Sequence, residues 1–221
     1  MNPIYLAIDT ADAAVARRLI DDVRDSIGGV KIGLTFWFAN GPTVVGDVVT
    51  GLDWFLDIKL HDIPTQVAGA IRAVLPLAPT YISLHEKGGR AMMEAAVEAA
   101  NIGAQAAGIA RPRILAVTTL TSLPATITGV VRQAHHAISC GLDGVIASPQ
   151  EVKHLRAELG TKPVLMTPGI RTPDAAQDDH ARSATPREAI EAGANLLVIG
   201  RPITQAAKPR DAAQAIISSL A

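Results

Sequence analysis

Eight short apolar runs, each followed by a stretch compatible with helix, set the tightest limit on how this chain folds. They fall at 4–8, 30–32, 54–58, 81–84, 114–117, 144–147, 164–166 and 196–199. Most place β-branched or other apolar residues at successive positions, the pattern of strands buried on both faces. The intervening segments are long enough for a crossover helix, and several are alanine-rich, as at 11–26, 90–103 and 209–221. Eight strand–helix units in 221 residues predict one α/β domain over 1–221, a (β/α)8 TIM barrel. An open doubly wound sheet is the competing layout, but no G-x-G-x-x-G follows the first strand.

Two helix starts are legible in detail. Ser148-Pro149-Gln150-Glu151 and Thr185-Pro186-Arg187-Glu188 each put a hydroxyl at the N-cap, proline at N1 and glutamate at N3. Ser148 is therefore expected to be a cap and not a catalytic hydroxyl. The least regular stretch, 171–183, is rich in Asp and Ala. A loop of that length in a compact barrel is either a functional lid or a disordered segment.

Composition narrows the partners. The chain is 48% hydrophobic and 19% charged with a formal net charge of −1, so neither nucleic acid nor an anionic membrane is expected. Any anion site must be local. No run of about 18 apolar residues predicts a membrane span. MNPIYLAIDT lacks a basic leader and meets an acid at Asp9, so no signal peptide is expected. Cys140 is the only cysteine, which rules out an internal disulfide and fits a reducing cytoplasm.

Barrel enzymes carry their chemistry at the carboxyl ends of the strands, and the polar residues here collect at those positions. Asp9 ends the first strand, Lys31 lies in the second, and Asp57 and Lys59 end the third. His85 follows the fourth, 118–122 the fifth, 169–171 the seventh, and Gly200-Arg201 the eighth. Asp57 and Lys59 are two apart and should point the same way on a strand, with Lys31 reaching them from the neighbouring strand. An ion-pair network with Asp62 capping the next helix is the structural alternative. Buried ionic clusters are poor stabilisers, which favours a functional reading. After the last two strands, Gly169-Ile170-Arg171 and Gly200-Arg201 pair a glycine that admits an anion to backbone N–H groups with a forked arginine donor, where barrels bind phosphate.

With these residues in place, the chain resembles the orotidine 5′-phosphate decarboxylase family over essentially its whole length. The most specific element is Asp57-x-Lys59-x-x-Asp62-Ile63-Pro64. Lys31 in VKIG, HxxGG from His85, LTS at 120–122, PGIR from Pro168 and IGRPIT at 199–204 occur in the family's order. The resemblance implies decarboxylation of orotidine 5′-monophosphate to UMP, without metal or organic cofactor, in a homodimer with two shared sites. It implies that Lys59 protonates C6 of the pyrimidine, that Asp57 faces the leaving carboxylate and that Lys31 completes the charged array. Asp62 would enter from the partner. Asp9 matches a ribose ligand, Thr121 with Ser122 the group that reads the base, and Arg201 with the Arg171 loop the phosphate grip and its lid.

Two positions depart from the family pattern. Where threonine is usual this chain has Gln66, with the threonine displaced to Thr65. In the lid, His180 occupies the position of a bridging glutamine. Two other functions compete. Metal-dependent sugar-phosphate decarboxylases and aldolases share the Asp-x-Lys-x-x-Asp array but carry glutamate in place of Lys31. A non-catalytic phosphate-binding barrel would keep Arg201 without needing Lys59 beside Asp57. His135, His136 and His154 are expected at helix surfaces without metal. His85 is expected to be a hydrogen-bonded structural residue, and 36–38 (Phe-Trp-Phe) core or dimer packing.

Overall fold

The computed structural model describes residues 2–120, 123–171 and 184–220. From the amino end its first half runs β1 (Ile4–Ile8), α1 (Ala13–Val23), β2 (Gly29–Gly33), α2 (Leu34–Val49), β3 (Trp54–Leu60), α3 (Pro64–Val74), β4 (Tyr81–His85) and α4 (Gly89–Ala107). The second half runs β5 (Arg113–Val117), α5 (Ile127–Ser139), β6 (Gly144–Ile146), α6 (Pro149–Leu159), β7 (Val164–Thr167), α7 (Pro186–Glu191), β8 (Leu196–Ile199), α8 (Arg201–Thr204) and α9 (Pro209–Ser218). The strands pair in parallel in sequence order and β8 returns to β1, closing the barrel. All eight expected runs are strands of that barrel, and β3 continues past residue 58 to Leu60.

Closure follows from the two faces of each strand. Ile4, Leu6 and Ile8 of β1 face the helices, in the large core between barrel and helical ring. Tyr5 and Ala7 face inward, in a smaller core with Phe55, Tyr81, Leu115, Val164, Met166, Leu196 and Val198. Edge-to-face contacts of Tyr81 with Tyr5 at 5.8 Å and Phe55 at 6.5 Å plug this interior. Gly29 makes room for the plug, because a β-carbon there would stand 2.6 Å from the Tyr5 ring. The interior is thus packed solid below, and only its upper mouth is open to chemistry.

The rest of the helical ring follows local rules. In the second capping box the Thr185 N–H donates to Glu188 Oε2 at 2.8 Å, and the Glu188 N–H donates back to Thr185 Oγ1 at 3.3 Å. At Ser148 the N-cap N–H donates to Glu151 Oε2 at 2.8 Å. Helix α2 is kinked at Gly41, whose φ of 71° lies in the left-handed region that glycine tolerates, just before Pro42. The aromatic run at 36–38 splits: Phe36 is fully buried, Trp37 packs on the core edge and Phe38 is 78% exposed. Among the described residues, no helix is long and apolar enough to cross a membrane.

Candidate active site

The inward column of β3 turns from apolar to charged at the barrel mouth. Phe55 closes the plug; Asp57, two residues on, is 8% exposed and meets two ammonium groups. Its Oδ2 is 2.9 Å from Lys59 Nζ and 3.8 Å from Lys31 Nζ. Lys31, also 8% exposed, donates a 3.0 Å hydrogen bond to Asp9 Oδ1 at the end of β1. The array therefore alternates Asp9, Lys31, Asp57, Lys59 across three adjacent strands. Each buried charge has an opposite neighbour, which is what makes its desolvation tolerable.

Asp57 and Lys59 do point to the same place, as expected, but the strand does not deliver them by regular alternation. Leu56 pairs with Ile82 and Leu60 with Leu84, so three residues of β3 stand against Ser83 alone. The excess is absorbed at Lys59, whose φ of 52° is left-handed. That conformation costs roughly 1–2 kcal/mol for a residue with a β-carbon, and such strain gathers at functional sites. Lys59 thus meets Asp57 from a distorted backbone and not from a regular strand position.

The array forms part of the wall of a cleft of about 750 Å³. The same cleft is lined by Pro168, Gly169 and Arg171 after β7, and by Gly200 and Arg201 after β8. The sequence-derived positions Asp9, Lys31, Asp57, Lys59, Pro168, Gly169, Arg171, Gly200 and Arg201 thus converge, together with Thr119 and Leu120 from the stretch after β5. Around the segment 172–183 the described flanks are held together, the Arg171 N–H donating to the Ala184 carbonyl at 3.0 Å.

Other positions lie elsewhere. Asp62, Ile63, Thr65 and Gln66 are exposed, and Pro64 half-buried, where β3 turns into α3; none lines the cleft of its own chain. Asp62 Oδ1 accepts the Ile63 N–H at 2.7 Å and does not reach the charged array. Thr121, Ser122, His180 and the remainder of the expected lid lie outside the described residues. His136 is not a loose surface residue: its Nδ1 lies 2.6 Å from the largely buried Glu86 Oε1, tying α5 to the turn after β4. Among the described residues, no group of three or more His, Cys, Asp and Glu is placed to hold a metal.

Ser83 and Gly33 complete the site without standing out in the sequence. Ser83 is fully buried, donates to Asp57 Oδ1 at 3.0 Å and accepts the Lys59 N–H at 2.9 Å. A hydroxyl two residues after inward-facing Tyr81, in an otherwise apolar run, was the available signal. Gly33 pairs with Asp57 in the β2–β3 ladder. Thr10 and Gln205 also line the cleft without having been singled out, and so does Thr204 at the end of IGRPIT.

The profile described as orotidine 5′-phosphate decarboxylase / HUMPS family matches residues 2–216. The chain belongs to this family. It is 45% identical to the orotidine 5′-phosphate decarboxylase of Rhodospirillum rubrum, over 99% of this chain and 94% of that relative. It is 44% identical to the enzyme of Thermobifida fusca, over 99% and 95%. The crystal structure of orotidine 5′-phosphate decarboxylase from Lactobacillus acidophilus superposes with a TM-score of 0.87 at 32% identity, covering 100% of this chain and 99% of that one. In this decarboxylase-family chain, the irregular end of β3 carries the Asp-x-Lys pair, and the two arginines line the same cleft.

Proposed function

We propose that this protein decarboxylates orotidine 5′-monophosphate to UMP by electrostatic and positional catalysis without a metal, acting as a cytoplasmic homodimer. The observation that carries the reading is the 2.9 Å contact of the Lys59 ammonium with Asp57, in a cleft that Arg171 and Arg201 also line. The arginines supply forked donors for the phosphate, and the alternating charges meet the base.

In the reaction the bond from C6 to the carboxylate breaks, CO₂ leaves neutral and the electron pair stays on C6. Lys59 places positive charge where that pair develops, then gives an Nζ proton to C6; solvent reprotonates it. The net change is uptake of one proton and release of one CO₂. Asp57 faces the substrate carboxylate before bond cleavage. Two such groups about 4 Å apart repel by roughly 4 kcal/mol at an effective dielectric of 20, a repulsion relieved as CO₂ departs. Binding of the remote phosphate drives the substrate into this arrangement. Asp9 takes a ribose hydroxyl, and Thr121 with Ser122 reads the base.

Two ammonium groups around Asp57 oppose a divalent cation at the same place, which supports the metal-free reading over a metal-dependent sugar-phosphate reaction. The dimer is supported by the exposure of Asp62 beside Ile63, an apolar side chain 61% open to solvent on the α3 turn. From there Asp62 would complete the partner's array. Loss of the orotate absorbance band on adding purified protein in EDTA is the expected result; a requirement for divalent metal overturns the mechanism.

A further inference from the structure

We propose that Ser83 is a positioning residue for decarboxylation, acting through both Asp57 and Lys59. The proposal rests on the decarboxylase reading and deepens it. Opposite the three residues at 57–59, β4 offers only Ser83, so the regular ladder is broken between Leu56 and Leu60. The Lys59 N–H would otherwise lose its partner in the barrel wall, and buried N–H groups are rarely left unpaired. The Ser83 hydroxyl takes it at 2.9 Å, which uses a lone pair and leaves the hydroxyl proton to be aimed elsewhere. That proton goes to Asp57 Oδ1 at 3.0 Å.

The result is a directed chain from the Lys59 amide through the serine oxygen to the Asp57 carboxylate. It holds the backbone of Lys59 in its left-handed conformation from one side. It also turns the carboxylate so that Oδ2 faces the ammonium groups of Lys59 and Lys31. Only a side chain that donates and accepts at one small atom can serve both, and the site is fully buried, so water does not substitute from bulk. Ser83 does not line the cleft. Its influence on the reaction passes through its two partners.

The test compares Ser83→Ala and Ser83→Cys by steady-state kinetics on orotidine 5′-monophosphate, with UMP binding measured by calorimetry. The thiol keeps the side chain's shape but is a weak donor and acceptor, so it guards against collapse of the alanine variant. The expected result is a kcat lowered by about 100-fold in Ser83→Ala, the scale of a small misplacement of reacting groups. Ser83→Cys should fall in the same direction, with KM and UMP affinity near wild type in both. In an Asp57→Asn background, Ser83→Ala should cost less than about threefold further, because the two act as one unit. Unchanged kcat in the cysteine variant overturns the proposal. So does a loss confined to KM, a full additional loss in the Asp57→Asn background, or failure of both variants to fold. If wild-type protein leaves the orotate band untouched, the decarboxylase reading itself fails before any variant is compared.

Discussion

Gly33 leaves the space that the Lys31 side chain fills: a β-carbon there would stand 2.9 Å from Lys31 Nζ and 3.1 Å from Asp9 Oδ1. The backbone at Gly33 is extended and open to any residue, so the constraint is room and not conformation. Gly33→Ala should fold normally yet push the ammonium out of line. We expect kcat lowered about 10- to 100-fold with little change in melting temperature. Wild-type kcat in this variant would show that the position of Lys31 does not matter.

The proposed sharing of sites between two subunits makes a sharper prediction from two inactive proteins. Lys59→Ala and Asp62→Ala should each lose roughly 10³-fold or more in kcat. If Asp62 serves the partner, a hybrid of the two has one site with both residues intact. Random reassortment of an equal mixture makes half of the dimers hybrids, each with one good site of two, so about one quarter of wild-type activity returns. A mixture no more active than its components argues that Asp62 works within its own chain or not at all.

Arg201 opens α8 on the cleft wall, remote from the Asp57–Lys59 pair along the chain. Arg201→Ala should raise KM about 10- to 100-fold, the scale of one or two charged hydrogen bonds of about 1.5–3 kcal/mol. A substrate lacking the phosphate should discriminate poorly between variant and wild type. Normal KM in Arg201→Ala removes the phosphate role.

His85 gives the stability a pH dependence. Burial first, then the positive charges of His61, Lys59 and Lys87, lowers its pKa below the ordinary 6.5, while Asp57 pulls the other way. Its ring lies 5.5 Å from that of His61. The unfolded chain therefore takes up a proton at higher pH than the folded one. The stabilisation is complete above about pH 6.5 and declines as pH falls through the window below it. His85→Gln should flatten the loss of melting temperature between pH 7 and pH 5; an unchanged slope would assign that loss to other groups.

At the opposite rim, Arg156 of α6 fastens the loops that lead into β7 and β8. It donates to the carbonyls of Gly160, Pro163 and Gly193 and to Asn195 Oδ1, at 2.6–3.1 Å. Arg156→Ala should cost about 2–3 kcal/mol and lower the melting temperature by roughly 5–10 °C. Below that temperature kcat should equal the wild-type value. Loss of activity at full folding would mean that the two rims are coupled.

The barrel is legible in the amino-acid sequence because its signal is repetitive: eight apolar runs each repeat the same message, and an error in one is outvoted. Asp57, Lys59, Lys31 and the two arginines were legible because charge is scarce and collects at strand ends. What escaped was geometry made by two strands together. Nothing local at Lys59 announces a left-handed residue, since the cause is a mismatch in length against β4. Ser83 resembles a filler within Tyr81–His85 until the mismatch faces it. Gly33 appears ordinary until the Lys31 ammonium is placed.

The slipped register at the end of β3 bears on portability. Grafting the tripeptide Asp57-Ile58-Lys59 onto a regular strand of another barrel would copy the letters and lose the shape, because even spacing would send the amine along a different path. The transferable module is larger: a strand with two surplus residues, a neighbour that leaves one hydroxyl to meet them, and a glycine across the gap. Designers seeking a poised ammonium should borrow that mismatch whole.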